Sequence, residues 1–322
     1  MPQTSRVSIE PDREQALHAA ARAALDLDCG YDLTPWDWGQ VRHLDLCYVF
    51  PSVGDQELWW LGHPTTGLKQ VRELDLGGCG VTDAGIDALT WPHSTLRHLH
   101  SLALSCTGVT DAGFRELSWP NGGLRHLRSL RAADSRISDV GVADLAAPDT
   151  VLRMLTTLSL ASTAVTNDVG RLLASTTSGL VSLRRLELSW TPVTDECLAA
   201  MTAEGSSLAM LEALALKHTR ITDEGIRHLT SRRSPLHHLQ QLDLTGTDIT
   251  EEGLAHLANA GPMLANLTFL SLRETVIGDY GLRPFENTEV LPNLRTIGLT
   301  KSGISPIGVE RLLRARPHLR FH

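Results

Sequence analysis

Apolar positions along the chain fall on one long period. Leu68, Leu96, Leu124, Leu152, Leu180, Leu208, Leu236, Leu264, Leu291 and Leu319 are separated by steps of 28 residues seven times, then 27, then 28. Three residues after each of these leucines a short alternating run begins, as in Val71/Leu74/Leu76, Leu99/Leu102/Leu104, Leu155/Leu158/Leu160 and Leu239/Leu242/Leu244. An LxxLxL run of that length predicts a strand with one face buried. Val41/Leu44/Leu46 opens the series, so ten strands are expected.

Behind each strand stands a small hydrogen-bonding residue: Cys79, Thr107, Ser135, Thr163, Thr191, Thr219, Thr247, Thr275 or Ser302. It marks a turn whose bend leaves backbone groups to be paired, and stacked copies would form a polar ladder inside the coil. A phrase of the form V/I-T-D-x-G-L/I follows, as in Val81-Thr82-Asp83-Ala84-Gly85-Ile86 and Ile221 to Ile226. The Asp column reads as helix N-caps rather than as catalytic carboxylates. Helical spacing then buries Ile86 with Leu89 and Ile226 with Leu229, and a connector containing Pro, Gly or Ser returns to the next leucine.

A run of LxxLxLxxT/S/C followed by VTDxGLxxL resembles a leucine-rich repeat. The 28-residue unit is similar to the ribonuclease-inhibitor-like class, and the TDxGL phrase resembles the cysteine-containing repeats of F-box-type substrate receptors. The resemblance covers residues 41 to 322 and implies an α/β solenoid, a horseshoe with parallel strands on the concave face and helices on the convex face. Residues 1–40 then read as an amino-terminal cap, with a helix over about 11–27 and Trp36 and Trp38 covering the first repeat. A domain of about ten repeats occupies residues 41–322.

Composition explains and restricts this picture. Leucine fills 54 of 322 positions, while Phe, Trp and Tyr together fill 15, as expected when identical narrow layers need identical aliphatic fillers. The formal charge of −8 argues against nucleic acid as the partner, because phosphate-tracking surfaces depend on clustered Lys and Arg. No apolar run approaches the roughly 20 residues of a membrane span, so a cytoplasmic protein is expected. Five cysteines without a CxxC pair give no disulfide framework.

Departures from the repeat carry the remaining information. Residues 49–52 lengthen the first unit, Asn167 shifts the glycine of the fifth by one, and Pro284 should shorten the helix of the ninth. Leu319 fills its column just before the chain ends at His322, leaving a strand edge where an end-to-end dimer or a further segment would fit; a monomer is the other expectation. No phosphate loop, HExxH or GxSxG motif is present. Catalytic, cofactor and metal sites are therefore not expected. His98 and His126 share a column but lack a third ligand, and Arg227, His228, Arg232, Arg233, His237 and His238 read as a solvated basic face.

Strand alternation sends Arg131, Arg185, Glu187 and Lys217 to the exposed sheet face, with Trp190 and His218 at the strand-end edge. Protein interfaces concentrate their energy in Trp and Arg, so Arg131, Arg185, Trp190, Lys217 and His218 form the candidate partner-binding patch. Trp91 and Trp119, one repeat apart, are explained by connector packing or by an exposed aromatic strip. The expected function is non-catalytic: a scaffold that binds a protein through its concave face or flank, as an intracellular inhibitor or regulator. The alternative is a substrate-recognition adaptor of a ubiquitin-ligase-like assembly.

Overall fold

A computed structural model describes residues 17–18, 39–47 and 53–322. Of the expected cap only residues 17–18, with Leu17 buried, and 39–40 are among these; Trp36, Trp38 and the extra residues 49–52 lie outside them. The chain forms two compact units, residues 1–155 and 156–322. In the first, strands β1 (His43–Asp45), β2 (Glu73–Asp75), β3 (Ser101–Ala103) and β4 (Ser129–Arg131) pair in parallel, each with the next. The second continues the plan with β5 (Thr157–Ser159), β6 (Arg185–Glu187), β7 (Ala213–Ala215), β8 (Gln241–Asp243), β9 (Phe269–Ser271), β10 (Thr296–Gly298) and β11 (Arg320–Phe321), again parallel and in chain order. A helix or short 3₁₀ segment follows each of β1 to β10, giving the α/β repeat that the leucine spacing predicts.

The aligning leucines and the strand leucines are buried in both units; Leu96, Leu102, Leu236 and Leu242 are each at most 1% exposed. Register keeps these layers identical: Leu74 faces Leu102 and Leu102 faces Leu130 in the first unit, and Leu186, Leu214, Leu242 and Leu270 follow one another in the second. A single residue slip would turn every one of them to solvent.

The T-D-x-G phrase divides its work differently from the expected N-cap. The capping residue is the Thr: Thr82, Thr110, Thr222 and Thr250 each accept a bond from the amide two residues on. The Asp stands inside the helix and reaches forward to the next repeat. Asp83 accepts from the Thr110 amide and hydroxyl, both at 2.7 Å, and from the Gly113 amide at 3.0 Å. Asp223 does the same to Thr250 and Gly253. The Asp is the first residue of its own helix, just after the capping Thr, and its carboxylate is taken up by the free amides at the start of the next repeat's helix. The glycine then makes room, because a Cβ on Gly113 would lie 2.6 Å from an Asp83 carboxylate oxygen. In the displaced fifth repeat Asn167 takes over this reach, accepting from the Thr194 amide at 2.8 Å and donating to its hydroxyl at 2.9 Å.

The small turn residues bond within their own repeat rather than across repeats: Thr107 donates to the Leu104 carbonyl at 2.6 Å and Thr219 to that of Leu216 at 2.7 Å. Cys79 is different, its thiol reaching back to the Leu46 carbonyl at 3.3 Å. Pro284 ends the helix Gly278–Leu282 and opens a 3₁₀ turn, Arg283–Glu286. After Leu319, Arg320 and Phe321 pair with Thr296 and Ile297 as β11, one strand more than the ten expected, and β11 is the last strand of the sheet.

Candidate functional site: the strand-exit rim

Just past each strand the chain turns through left-handed backbone. This column holds Cys106 and Asp134 in the first unit and Ser162, Trp190, His218, Glu274 and Lys301 in the second, all at φ between 50° and 61°. Gly246 supplies the same conformation at φ 66°. Left-handed backbone is costly for side-chain-bearing residues, and here ladder bonds hold it: the Trp190 amide donates to the Lys217 carbonyl and the His218 amide to that of Thr245, both at 2.7 Å. The strand ladder therefore runs one step beyond the strands and fixes two aromatic side chains on adjacent rungs.

Their rings stack with centroids 3.7 Å apart and planes 23° from parallel. Trp190 nevertheless remains 59% exposed, so one indole face lies on His218 while much of the side chain meets solvent. His218 in turn depends on Gly246, where a Cβ would fall 2.3 Å from its ring nitrogen. The row continues in charge: His218 Nε2 lies 3.9 Å from Glu274, which accepts from Lys301 at 3.0 Å. Lys301 holds the Glu274 carboxyl below its ordinary value. Lys217 sits 3.4 Å from Asp243, and Arg185 opens β6 as an exposed cation.

Four of the five candidates, Arg185, Trp190, Lys217 and His218, thus lie on the strand face and exit rim of the second unit. Arg131 ends β4 of the first unit, 3.7 Å from Asp75. Sequence reasoning passed over Gly246, Glu274 and Lys301, although all three share the 27-to-28-residue column of Trp190 and His218.

Two other arrangements belong to the first unit. Trp91 and Trp119 are the C-caps of the helices Asp83–Thr90 and Asp111–Ser118. Connector packing does not cover them: with Trp59, Asp87 and Glu116 they line a groove of about 430 Å³, and Trp119 is 53% exposed. Asp45, Cys47 and Asp75 bring one ligand atom each within 4.8 Å of one another. Their carboxylates already accept from the Cys47 and Gly77 amides. Burial, then Asp75 and Asp45, push the Cys47 thiol up, which keeps it protonated at neutral pH. His98 and His126 stack with ring centroids 6.0 Å apart instead of converging on a common point.

Segments 70–89, 95–118, 207–229 and 236–258 match the profile described as Leucine Rich repeat. These segments are leucine-rich repeats. Leucine-rich repeats generally mediate protein–protein interaction. No curated protein matches the sequence. Among solved structures the chain is similar to an internalin, inlF, of Listeria monocytogenes, with 17% identity over 95% of this chain and 94% of that one and a TM-score of 0.47. Internalin C2 of the same organism gives 20% identity over 95% and 92% with a TM-score of 0.42. TLR13 in its complex with ssRNA13 gives 18% identity and a TM-score of 0.49; the match covers 83% of this chain and 37% of TLR13.

Proposed function

We propose that this protein is a non-catalytic scaffold that binds a protein partner through the strand face and exit rim of its second unit. The observation that carries the reading is Trp190. An indole that is more than half exposed, yet fixed by a ring stack and by ladder bonds on the left-handed turn, is an anchor whose ordering cost is already met before binding. Arg185, Lys217 and His218 supply the polar surround. A regulator or inhibitor of the bound protein fits a surface of this kind; the adaptor role would need a recruiting element as well.

The exposed Trp119 favours one competing surface, the groove it shares with Trp59 and Trp91. Affinity capture from source cells, quantified for the wild type and for an Arg185→Ala/Trp190→Ala variant, tests the proposal. Capture of the specific partner should fall at least about tenfold while the unfolding midpoint is unchanged. Full retention by that variant would refute the second-unit rim as the binding surface.

A further inference from the structure

At the opposite, entry end of the strands, the first unit concentrates cations, with Glu73, bonded to His43 at 2.9 Å, as the acid beside them. The position after each aligning leucine holds Lys69, Arg97, Arg125 and Arg153, the next holds His98 and His126, and two further on come Arg72, His100 and Arg128. Parallel in-register pairing of β2, β3 and β4 stacks these columns at roughly the 4.8 Å strand spacing, so that cations of successive repeats stand side by side. The His100 ring lies edge-on to His126 at 6.5 Å, beside the stacked His98 and His126. Lys69, Arg97 and Arg125 are exposed, and among the described residues none of the three has a carboxylate partner.

The crowding is chemically visible at His98. Burial, then Arg72, Arg97, His126 and His100, hold its imidazole below the ordinary value, so the neutral form dominates at pH 7 while the guanidinium groups stay charged. Between two connectors Arg97, His98, Arg125 and His126 line a groove of about 310 Å³, walled by Pro92 and Gly122. Arg97 Nε donates to His98 Nε2 at 3.3 Å, which leaves the terminal guanidinium nitrogens of Arg97 and the Arg125 fork without a carboxylate among the described residues; with the two imidazoles around one groove they make a receptor for an oxyanion.

The size and the surrounding charge narrow the ligand. A groove of 310 Å³ is at the small end of ligand sites. The chain as a whole carries −8, so a long polyanion leaving the patch would meet net negative surface, whereas a compact anion stays within the roughly 8 Å over which local cations dominate. We propose that this groove binds a compact phosphomonoester-type dianion, with Arg97 and Arg125 as its anchoring guanidinium groups and His98 and His126 as further donors. The site is separate from the Trp190 rim and does not depend on the reading given for it.

The test is calorimetric titration of the full chain with O-phosphoserine at pH 7 and low salt, comparing the wild type with Arg97→Ala/Arg125→Ala and with Arg232→Ala/Arg233→Ala. The wild type should bind one equivalent, the first variant at least about tenfold more weakly, and the second, which removes exposed cations of another connector, as the wild type does. His98→Asn/His126→Asn, which leaves both guanidinium groups, should also weaken binding, and phosphoserine should shift the His98 and His126 ring resonances of the wild type. Inorganic phosphate binding as tightly as phosphoserine would support the site and assign recognition to the phosphate group alone. Equal binding by the wild type and Arg97→Ala/Arg125→Ala, or an RNA oligonucleotide that binds where phosphoserine does not, would overturn the proposal.

Discussion

The two units share one framework and differ in what they display on it. At the strand-entry column the first unit has Lys69, Arg97, Arg125 and Arg153, whereas the second has Val181, Ala209, His237, Ala265 and Pro292. At the exit column the relation reverses: Gly78, Cys106 and Asp134 stand in the first unit, and Ser162, Trp190, His218, Gly246, Glu274 and Lys301 in the second. The leucine layers, the capping Thr or Ser and the forward-reaching Asp recur in most repeats of both units, because each must fit the repeat on either side. Columns that face solvent have no such obligation. The surfaces proposed for binding therefore lie where aligned repeats disagree, and the buried framework where they agree.

The largest effect tests the common framework. Leu96→Ala in the first unit and Leu180→Ala in the second, both at most 1% exposed, should each cost about 2–5 kcal/mol by chemical denaturation. An unchanged midpoint for either would break the equivalence of the units. Next comes the forward reach of the aspartates. Asp83→Ala, which strips charge-assisted bonds from Thr110 and Gly113, should cost about 1.5–3 kcal/mol. Asp168→Ala in the displaced repeat, where the carboxylate is exposed and paired only with Arg171 among the described residues, should change stability by less than about 0.5 kcal/mol.

Gly246→Ala sharpens the contrast at the exit rim. The new methyl would occupy the place of the His218 ring on left-handed backbone, so a loss of about 1 kcal/mol is expected. The indole resonance of Trp190 should move as its stacking partner is displaced, while first-unit resonances stay in place.

The smallest effect is in pH dependence. His98 and His100 are both held below the ordinary histidine value, chiefly by burial, then by Arg72 and Arg97 for His98 and by Arg128 and Arg72 for His100. The unfolded chain therefore takes up protons first, and stability from these groups, full above about pH 6.5, declines as pH falls below it. In the second unit Glu274 is lowered by Lys301. Its contribution persists to lower pH and fades only as pH falls through the depressed carboxylate value. His98→Asn/His100→Asn should flatten the first decline and leave the second.

Most of the fold was legible because the repeat is written in residues that pack: leucine spacing set the strands, and the Pro284 break was readable from ring geometry. From the sequence alone the Asp column reads as capping, because a reach of 27 residues is invisible until neighbouring repeats stack; its trace is the glycine three positions after Thr82, Thr110, Thr222 and Thr250, since a Cβ on Gly113 would meet the Asp83 carboxylate. At the rim, Trp190 and His218 stood out as unusual residues. Gly246, which makes their stack possible, looked like an ordinary turn glycine. The cationic groove is hidden in the sequence because its residues fall in separate columns that only stacking brings together, and a net charge of −8 conceals a local concentration of Lys, Arg and His.

The central claim, that the partner docks on the second unit's exit rim, is tested most directly by placing a photoreactive phenylalanine analogue at position 190 or at position 119 and irradiating the protein with its captured partner. The account predicts a crosslink from position 190 and none from position 119. A crosslink from position 119 alone would contradict it and move the interface to the tryptophan groove of the first unit.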